Sequence, residues 1–211
     1  MSKNNILYRA LDTEFTADEA GRRIHGLAIP VNSRSAFIHD EDGEYFEIVE
    51  PEAVNEDLIL NNDIKVYLDH DPSQGVYARS KYGKGSLELM VTERGLEFEF
   101  PVPNTVFGDA LIQGVVRGDY DKISYGFQPE VDAWIWTEDG QPLHIVRSFK
   151  RVVEISILSL APAFPATELE LRSLEQFKKE SEDKYNESIR KIEEAEEQLH
   201  ELYNDYIDII Y

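Results

Sequence analysis

The sequence predicts a mainly β, α+β domain followed by a C-terminal helical tail. Three observations carry that expectation. Through about residue 172, short apolar runs alternate with polar residues and are closed by Gly, Pro, Asn and Asp, which is the pattern of strands and turns. One well-marked amphipathic helix, "NTVFGDALIQGVVRGD" at 104–119, interrupts them. Beyond residue 172 Gly and Pro disappear and the pattern becomes helical. The expected units are residues 1–172 and an acidic amphipathic tail over 173–211.

The elements follow in order. "GLAIPV" places Leu27, Ile29 and Val31 on one face of a strand. "PEAVNEDLILN" reads as a short helix. "IKVYLDH" is a strand with Ile64, Val66, Leu68 and His70 on one face. "SLELMV" and "LEFEF" flank "TERG", a hairpin with Gly95 in its turn. Leu96, Phe98 and Phe100 point inward there, and Glu97 and Glu99 outward. In the helix, Asn104 or Thr105 is the N-cap, Val106, Ala110, Leu111 and Val115 form the stripe, and Gly118 stops it. The chain then enters the strand "KISYGF". "AWIW" and "LHIVRSF" flank the turn "TEDGQP". "VVEISILSL" is a long β-branched strand that ends at "APAFPA", where proline stops the ladder.

The tail carries a heptad. Leu171, Tyr185, Ile192, Leu199 and Tyr206 share one seam position, and Leu174, Ala195, Leu202 and Ile209 the other. Lys178, Ser181 and Ser188 interrupt it. The stripe is expected to pack on a helical partner or on a second copy of itself; a solvated acidic helix folded back on the domain is the plainer alternative.

Composition excludes several function classes. A net charge of −21 over 211 residues repels phosphate backbones, so no nucleic-acid partner is expected. Residues 173–211 hold 12 acidic and 5 basic groups, so both units are acidic. There is no cysteine, hence no disulfide, no thiolate nucleophile and no Cys-based zinc site. The five histidines show no HExxH spacing. No metal or cofactor is expected. No apolar run of membrane-spanning length occurs, and "MSKNNILYRALDTEF" lacks the apolar stretch of a secretion signal, so a cytoplasmic, non-membrane setting is expected.

The residue that invites a chemical reading is Ser124. In "KISYGF" it shares a face with Gly126, while Ile123, Tyr125 and Phe127 share the other. A glycine beside a serine leaves room for backbone or substrate; it also suits a strand crowded by a neighbour. A serine hydroxyl becomes a nucleophile only beside a base that a third group orients. His70 is the best base, at a strand end before the turn "DPSQG". His25 precedes a strand, His39 sits in an acidic turn, His144 alternates outward on a hairpin, and His200 lies on the tail helix; all four read as surface residues. Glu154 interrupts an otherwise uncharged strand, and a buried carboxylate needs a partner. An imidazole would serve, as would Lys150, Arg151 or water. Asp69 and Asp71 adjoin His70 but point to the opposite face of an extended strand.

"RRIHGLAIPVN", "EIVEPEAV", "VYLDHD", "TERGLEFEFPVPNT", "ALIQGVVRGDYDKISYGF" and "VVEISILSLAPAFPAT" occur in this order and spacing. Together they resemble the prohead maturation proteases of HK97-like tailed bacteriophages, over about residues 6–170. The resemblance implies a serine endopeptidase related in fold to the herpesvirus capsid-maturation proteases, with a compact β-barrel-like core and surrounding helices. The family's His-Asp segment matches "LDHD", which makes His70 the general base. Its serine-aromatic-glycine segment matches "SYGF", which makes Ser124 the nucleophile, with Tyr125 where the family usually has phenylalanine. Its Glu-apolar-Ser segment matches Glu154 and Ser156, which makes Glu154 the third member. The herpesvirus relatives use a second histidine, and none here fits that place.

The resemblance also implies a setting. Such a protease is enclosed in the immature capsid within the host cytoplasm, cuts the scaffold segment from the major capsid protein, and finally cuts itself. The acidic tail would dock to the helical scaffold segment or mediate self-association. The rival expectations are a catalytically silent capsid-assembly module of the same fold, and a β-rich binding domain whose three residues are structural.

Overall fold

The structure is a computed structural model, and it describes residues 6–11, 15–20, 22–40, 43–159 and 178–191. The chain forms two compact units, Met1–Leu169 and Glu170–Tyr211.

The first unit is built from β1 (Leu7–Leu11), β2 (Phe15–Asp18), β3 (Arg23–Pro30), β4 (Ile38–Asp40), β5 (Gly43–Val49), α1 (Glu56–Leu60), β6 (Asp63–Leu68), β7 (Ala78–Lys81), β8 (Lys84–Gly85), β9 (Glu88–Thr92), β10 (Gly95–Pro101), α2 (Val106–Arg117), β11 (Lys122–Trp136) and β12 (Pro142–Leu158). The class is mainly β, α+β. The larger sheet runs β1-β11-β12-β6-β7-β8, with β5 on β12 and β4 on β5; the smaller runs β2-β3-β10-β9. Both orders have ends, so among the described residues the sheets stay open layers and no barrel closes.

One core joins the two sheets. Ile24, Ala28, Leu96, Phe98 and Phe100 of the smaller sheet pack with Ile64, Val66, Ile123, Tyr125, Phe127, Ile155 and Ile157 of the larger. Full burial of each of the Ile, Leu, Val and Phe side chains contributes about 1.5–3 kcal/mol. β12 is the spine: residues 143–146 pair in parallel with β5, residues 154–157 pair in parallel with β6, and its whole length runs antiparallel to β11. The segments "KISYGF" and "AWIW" are one strand rather than two. Irregularities at Gly126/Phe127, Gln128/Pro129 and Val131 bend β11 without ending it.

The hairpin at Gly95, the helix and its caps all form where the sequence places them. Thr105 is the N-cap, accepting from Gly108 N at 3.1 Å, and Gly118 ends α2 in the left-handed region at φ 77°. The buried stripe is rotated from the expected one. Gly108, Leu111, Ile112 and Gly114 are buried, while Val106 is 82% exposed. The cause is close approach. A Cβ at Gly108 would meet the Pro103 carbonyl and one at Gly114 would meet the Tyr120 ring, so the glycines set which side lies down.

In the second unit, residues 178–191 form a helix, here α3. Lys191 pairs with Glu187 one turn earlier at 2.7 Å, and Tyr185 is exposed. The other apolar heptad positions, at 171, 174, 192, 195, 199, 202, 206 and 209, lie outside the described residues.

Candidate active site

Register brings the chemistry-bearing residues onto one face. Ser124 pairs with Ser156 and Gly126 with Glu154 across β11 and β12. Ala10 and Tyr8 of β1 pair with Ser124 and Gly126 on the other side. Tyr67 and Lys65 of β6 pair with Ser156 and Glu154. Directly paired residues share a face, with Cβ atoms about 4.5–5.5 Å apart on an antiparallel pair. Four strands therefore present Tyr8, Ser124, Glu154, Ser156 and Tyr67 together, and the opposite face carries Ile123, Tyr125, Ile155 and Val66 into the core.

His70 reaches this face by leaving its strand. The sequence pattern places it with Ile64, Val66 and Leu68, facing the core. β6 instead ends at Leu68, and Asp69 and His70 both take left-handed backbone, φ 50° and 58°. Leu68 O accepts from Asp71 N at 3.0 Å, so residues 68–71 form a tight turn of the type I′ kind, with Asp-His where Asn-Gly is usual. Two non-glycine residues in that region cost about 1–2 kcal/mol each. The aspartates on either side of His70 are both engaged, Asp69 with Ser159 and Asp71 with the 3₁₀ turn that follows. Asp69 Oδ1 and Oδ2 accept from Ser159 N at 2.8 Å and Ser159 Oγ at 2.6 Å. Asp71 Oδ1 accepts from Ser73 N at 2.8 Å; the Ser73 side chain first, then its N–H and the Gln74 amide, hold the Asp71 carboxyl below the usual range.

The turn delivers His70 to Glu154. Nδ1–H of His70 donates to Glu154 Oε1 at 2.5 Å, and Ser156 Oγ donates to the same oxygen at 3.1 Å. Glu154 is buried, 8% exposed, and among the described residues it takes these partners rather than Lys150 or Arg151. Its charge is felt nearby: burial first, and the Glu154 carboxylate second, raise the phenols of Tyr8 and Tyr67. The Tyr8 ring stands edge-on to the His70 ring, centroids 4.7 Å apart. Gly126 accounts for the close fit. A Cβ there would lie 2.9 Å from Glu154 Cγ and 2.9 Å from Tyr8 Cε1. The room beside the serine is filled by these two side chains, not reserved for substrate.

Ser124 is fully buried, and its Oγ makes no hydrogen bond among the described residues. A buried hydroxyl left in that condition needs an explanation. Its cross-strand neighbour, Ser156, is bonded to the carboxylate that holds His70. The arrangement is an imidazole oriented through Nδ1 by Glu154, and an uncommitted hydroxyl at Ser124 that makes no hydrogen bond to it in this structure.

A family model described as caudovirus prohead serine protease matches residues 10–180. The chain belongs to that family. A search of the solved structures returns the capsid assembly protease gp21 of bacteriophage T4, at 11% identity and a TM-score of 0.46, covering 74% of this chain and 99% of that one. No curated protein sequence matches. Family membership carries peptidase chemistry and a prohead setting. No described helix is long and apolar enough to cross a membrane, and no described cluster of His, Asp and Glu could hold a metal ion.

A second polar constellation escaped the sequence reading. His144, expected to face outward, is 2% exposed. Its Nδ1 meets Glu47 Oε2 at 2.9 Å and its Nε2 meets Asp132 Oδ2 at 2.7 Å. Arg9 grips Glu47 with Nε at 2.8 Å and Nη2 at 2.7 Å. Trp134 stacks on the imidazole at 4.6 Å. Burial alone would lower His144, but Asp132 and Glu47 outweigh it and push it up to about 9. Burial alone would raise Glu47, but Arg9 and His144 hold it down at about 2. The signal was present in "EYFEIV", where Glu47 falls on the same alternating face as Tyr45 and Val49. His25, expected just before a strand, lies within β3 and is exposed. His200 lies outside the described residues.

Proposed function

We propose that the chain is a prohead maturation endopeptidase that removes the scaffold segment of the major capsid protein, and finally cuts itself, with Ser124 as nucleophile, His70 as base and Glu154 as the orienting carboxylate. The observation that carries this reading is the His70–Glu154 hydrogen bond, 2.5 Å long, on the face where Ser124 lies paired with Ser156. Nε2 of His70 takes the hydroxyl proton as Ser124 Oγ attacks the scissile carbonyl. Glu154 stabilises the imidazolium. The proton then passes to the leaving amine, and water, deprotonated by the same imidazole, releases the acyl group from Ser124.

The setting follows from the same reading. The protease works inside the prohead in the host cell. The acidic tail beyond residue 172 is a docking unit for the scaffold segment or for a second copy of the chain. Complete burial of Ser124 favours a second reading, a silent assembly module of the same fold. One experiment separates the two: co-expression with the cognate capsid protein, wild type against Ser124→Ala, read by intact mass. Trimming by wild type alone supports the protease. Equal trimming by both removes Ser124 from the mechanism. Assembly without trimming in either supports the module.

A further inference from the structure

The mechanism just given uses His70 but not the aspartates beside it. Asp69 occupies one of two successive left-handed positions. Its carboxylate leaves the turn and closes on Ser159, just past the end of β12, through two short hydrogen bonds of 2.8 and 2.6 Å. Its backbone N–H continues the β6–β12 ladder by donating to Ile157 O at 2.9 Å. Three bonds thus tie the turn that carries His70 to the strand that carries Glu154, within five residues of Glu154 itself. A hairpin turn needs no such tie to form. A turn that must hold an imbalanced backbone, with a ring aimed at one carboxylate oxygen, does.

We infer that Asp69 and Ser159 form a clamp that sets the His70 ring against Glu154, so that Asp69 is a positioning residue for the proposed reaction. The inference rests on the reading of His70 as base. The clamp explains why an aspartate, rather than the better-suited glycine, precedes the histidine: glycine would relax the backbone and lose the tie. It also separates the two aspartates by role. Asp71 caps the following turn of 3₁₀ helix, over Pro72–Gln74, and touches neither β12 nor the site.

The test compares Asp69→Gly, Asp69→Asn and Ser159→Ala in the full chain, cleaving purified capsid protein. Glycine accepts φ 50° and asparagine tolerates it, so both variants keep the fold, which thermal melting checks. Asparagine can still accept from Ser159 N–H and donate to its hydroxyl. The expected result is a kcat reduced about 10–100-fold in Asp69→Gly with KM unchanged, as for a small misplacement of a catalytic group. Asp69→Asn should restore most of the rate, and Ser159→Ala should fall between. A second readout is independent of turnover: the downfield proton resonance of the His70–Glu154 hydrogen bond, recorded in the Ser124→Ala background. It should vanish or broaden in Asp69→Gly and persist in Asp69→Asn. Wild-type kcat together with an unchanged resonance in Asp69→Gly would overturn the clamp. Cleavage by Ser124→Ala at the wild-type rate would overturn the catalytic reading instead, and the resonance would still decide the clamp.

Discussion

Replacing Gly126 with alanine should cripple the site while leaving the identity of its three central residues unchanged. The added Cβ would lie 2.9 Å from Glu154 Cγ, 2.9 Å from Tyr8 Cε1 and 3.2 Å from Val153 Cγ2. Carbon atoms settle at about 3.5–4.0 Å, so Glu154 and Tyr8 must each retreat by about 0.6 Å or more. Neither has a free direction: Glu154 is held by His70 and Ser156, and Tyr8 rests edge-on against His70. Overpacking of this kind costs about 1–3 kcal/mol, and for a domain of this size each kcal/mol lowers Tm by about 2–4 °C. Catalysis should suffer more. A 1 Å misplacement costs roughly 100-fold, so kcat should fall by about tenfold or more. The assay is cleavage of purified capsid protein at saturating substrate, with a thermal melt on the same preparation. A variant with full kcat and an unchanged Tm would refute the account of Gly126 as the space that Glu154 and Tyr8 fill.

Glu154→Gln should keep the packing but lose the anion that stabilises the imidazolium. A fall in kcat on the order of 10³–10⁴-fold is expected by analogy with other serine triads, and single-turnover kinetics at full occupancy would measure it. In the second constellation, Glu47→Gln leaves Arg9 and His144 buried without their shared counter-ion; chemical denaturation should register a loss of about 3–5 kcal/mol. The same cluster makes stability depend on pH. His144 binds its proton more tightly folded than unfolded, so its contribution is complete below about 6.5 and is lost as pH rises through about 9. Glu47 is the reverse, complete above about 4.5 and lost as pH falls through about 2. Melting curves should therefore plateau between those limits and drop toward pH 9 by an amount on the order of 3 kcal/mol; a flat profile from pH 6.5 to 9 would contradict it.

Much of this was legible from residue order because local rules decide it. Thr105 and Gly118 announce the ends of α2, and Gly95 and Gly140 the hairpins, since only certain side chains suit those backbone positions. Alternation placed Ser124 and Gly126 on one face of β11 correctly. Two things were not legible. Alternation cannot say whether a face meets water or a second strand, so the burial of Ser124 and of His144 had to come from pairing. Period-2 reasoning also fails where a strand stops: it sent His70 into the core, and two left-handed residues sent it to the other side. The Asp69-His70 pair itself was the clue, since Asp and His are among the few non-glycine residues enriched in that geometry.

The absence of any exposed surface at Ser124 bears on timing. On the proposed reading of Ser124 as nucleophile, a covered hydroxyl means turnover only in the fraction of molecules that are open, so the observed rate is the intrinsic rate multiplied by that fraction. Such a device needs no inhibitor and no propeptide. Whatever binds the open form preferentially, a high local density of substrate included, raises the fraction and the rate together. Confinement at close quarters with many copies of the target would then act as the trigger, and dilution would act as the brake.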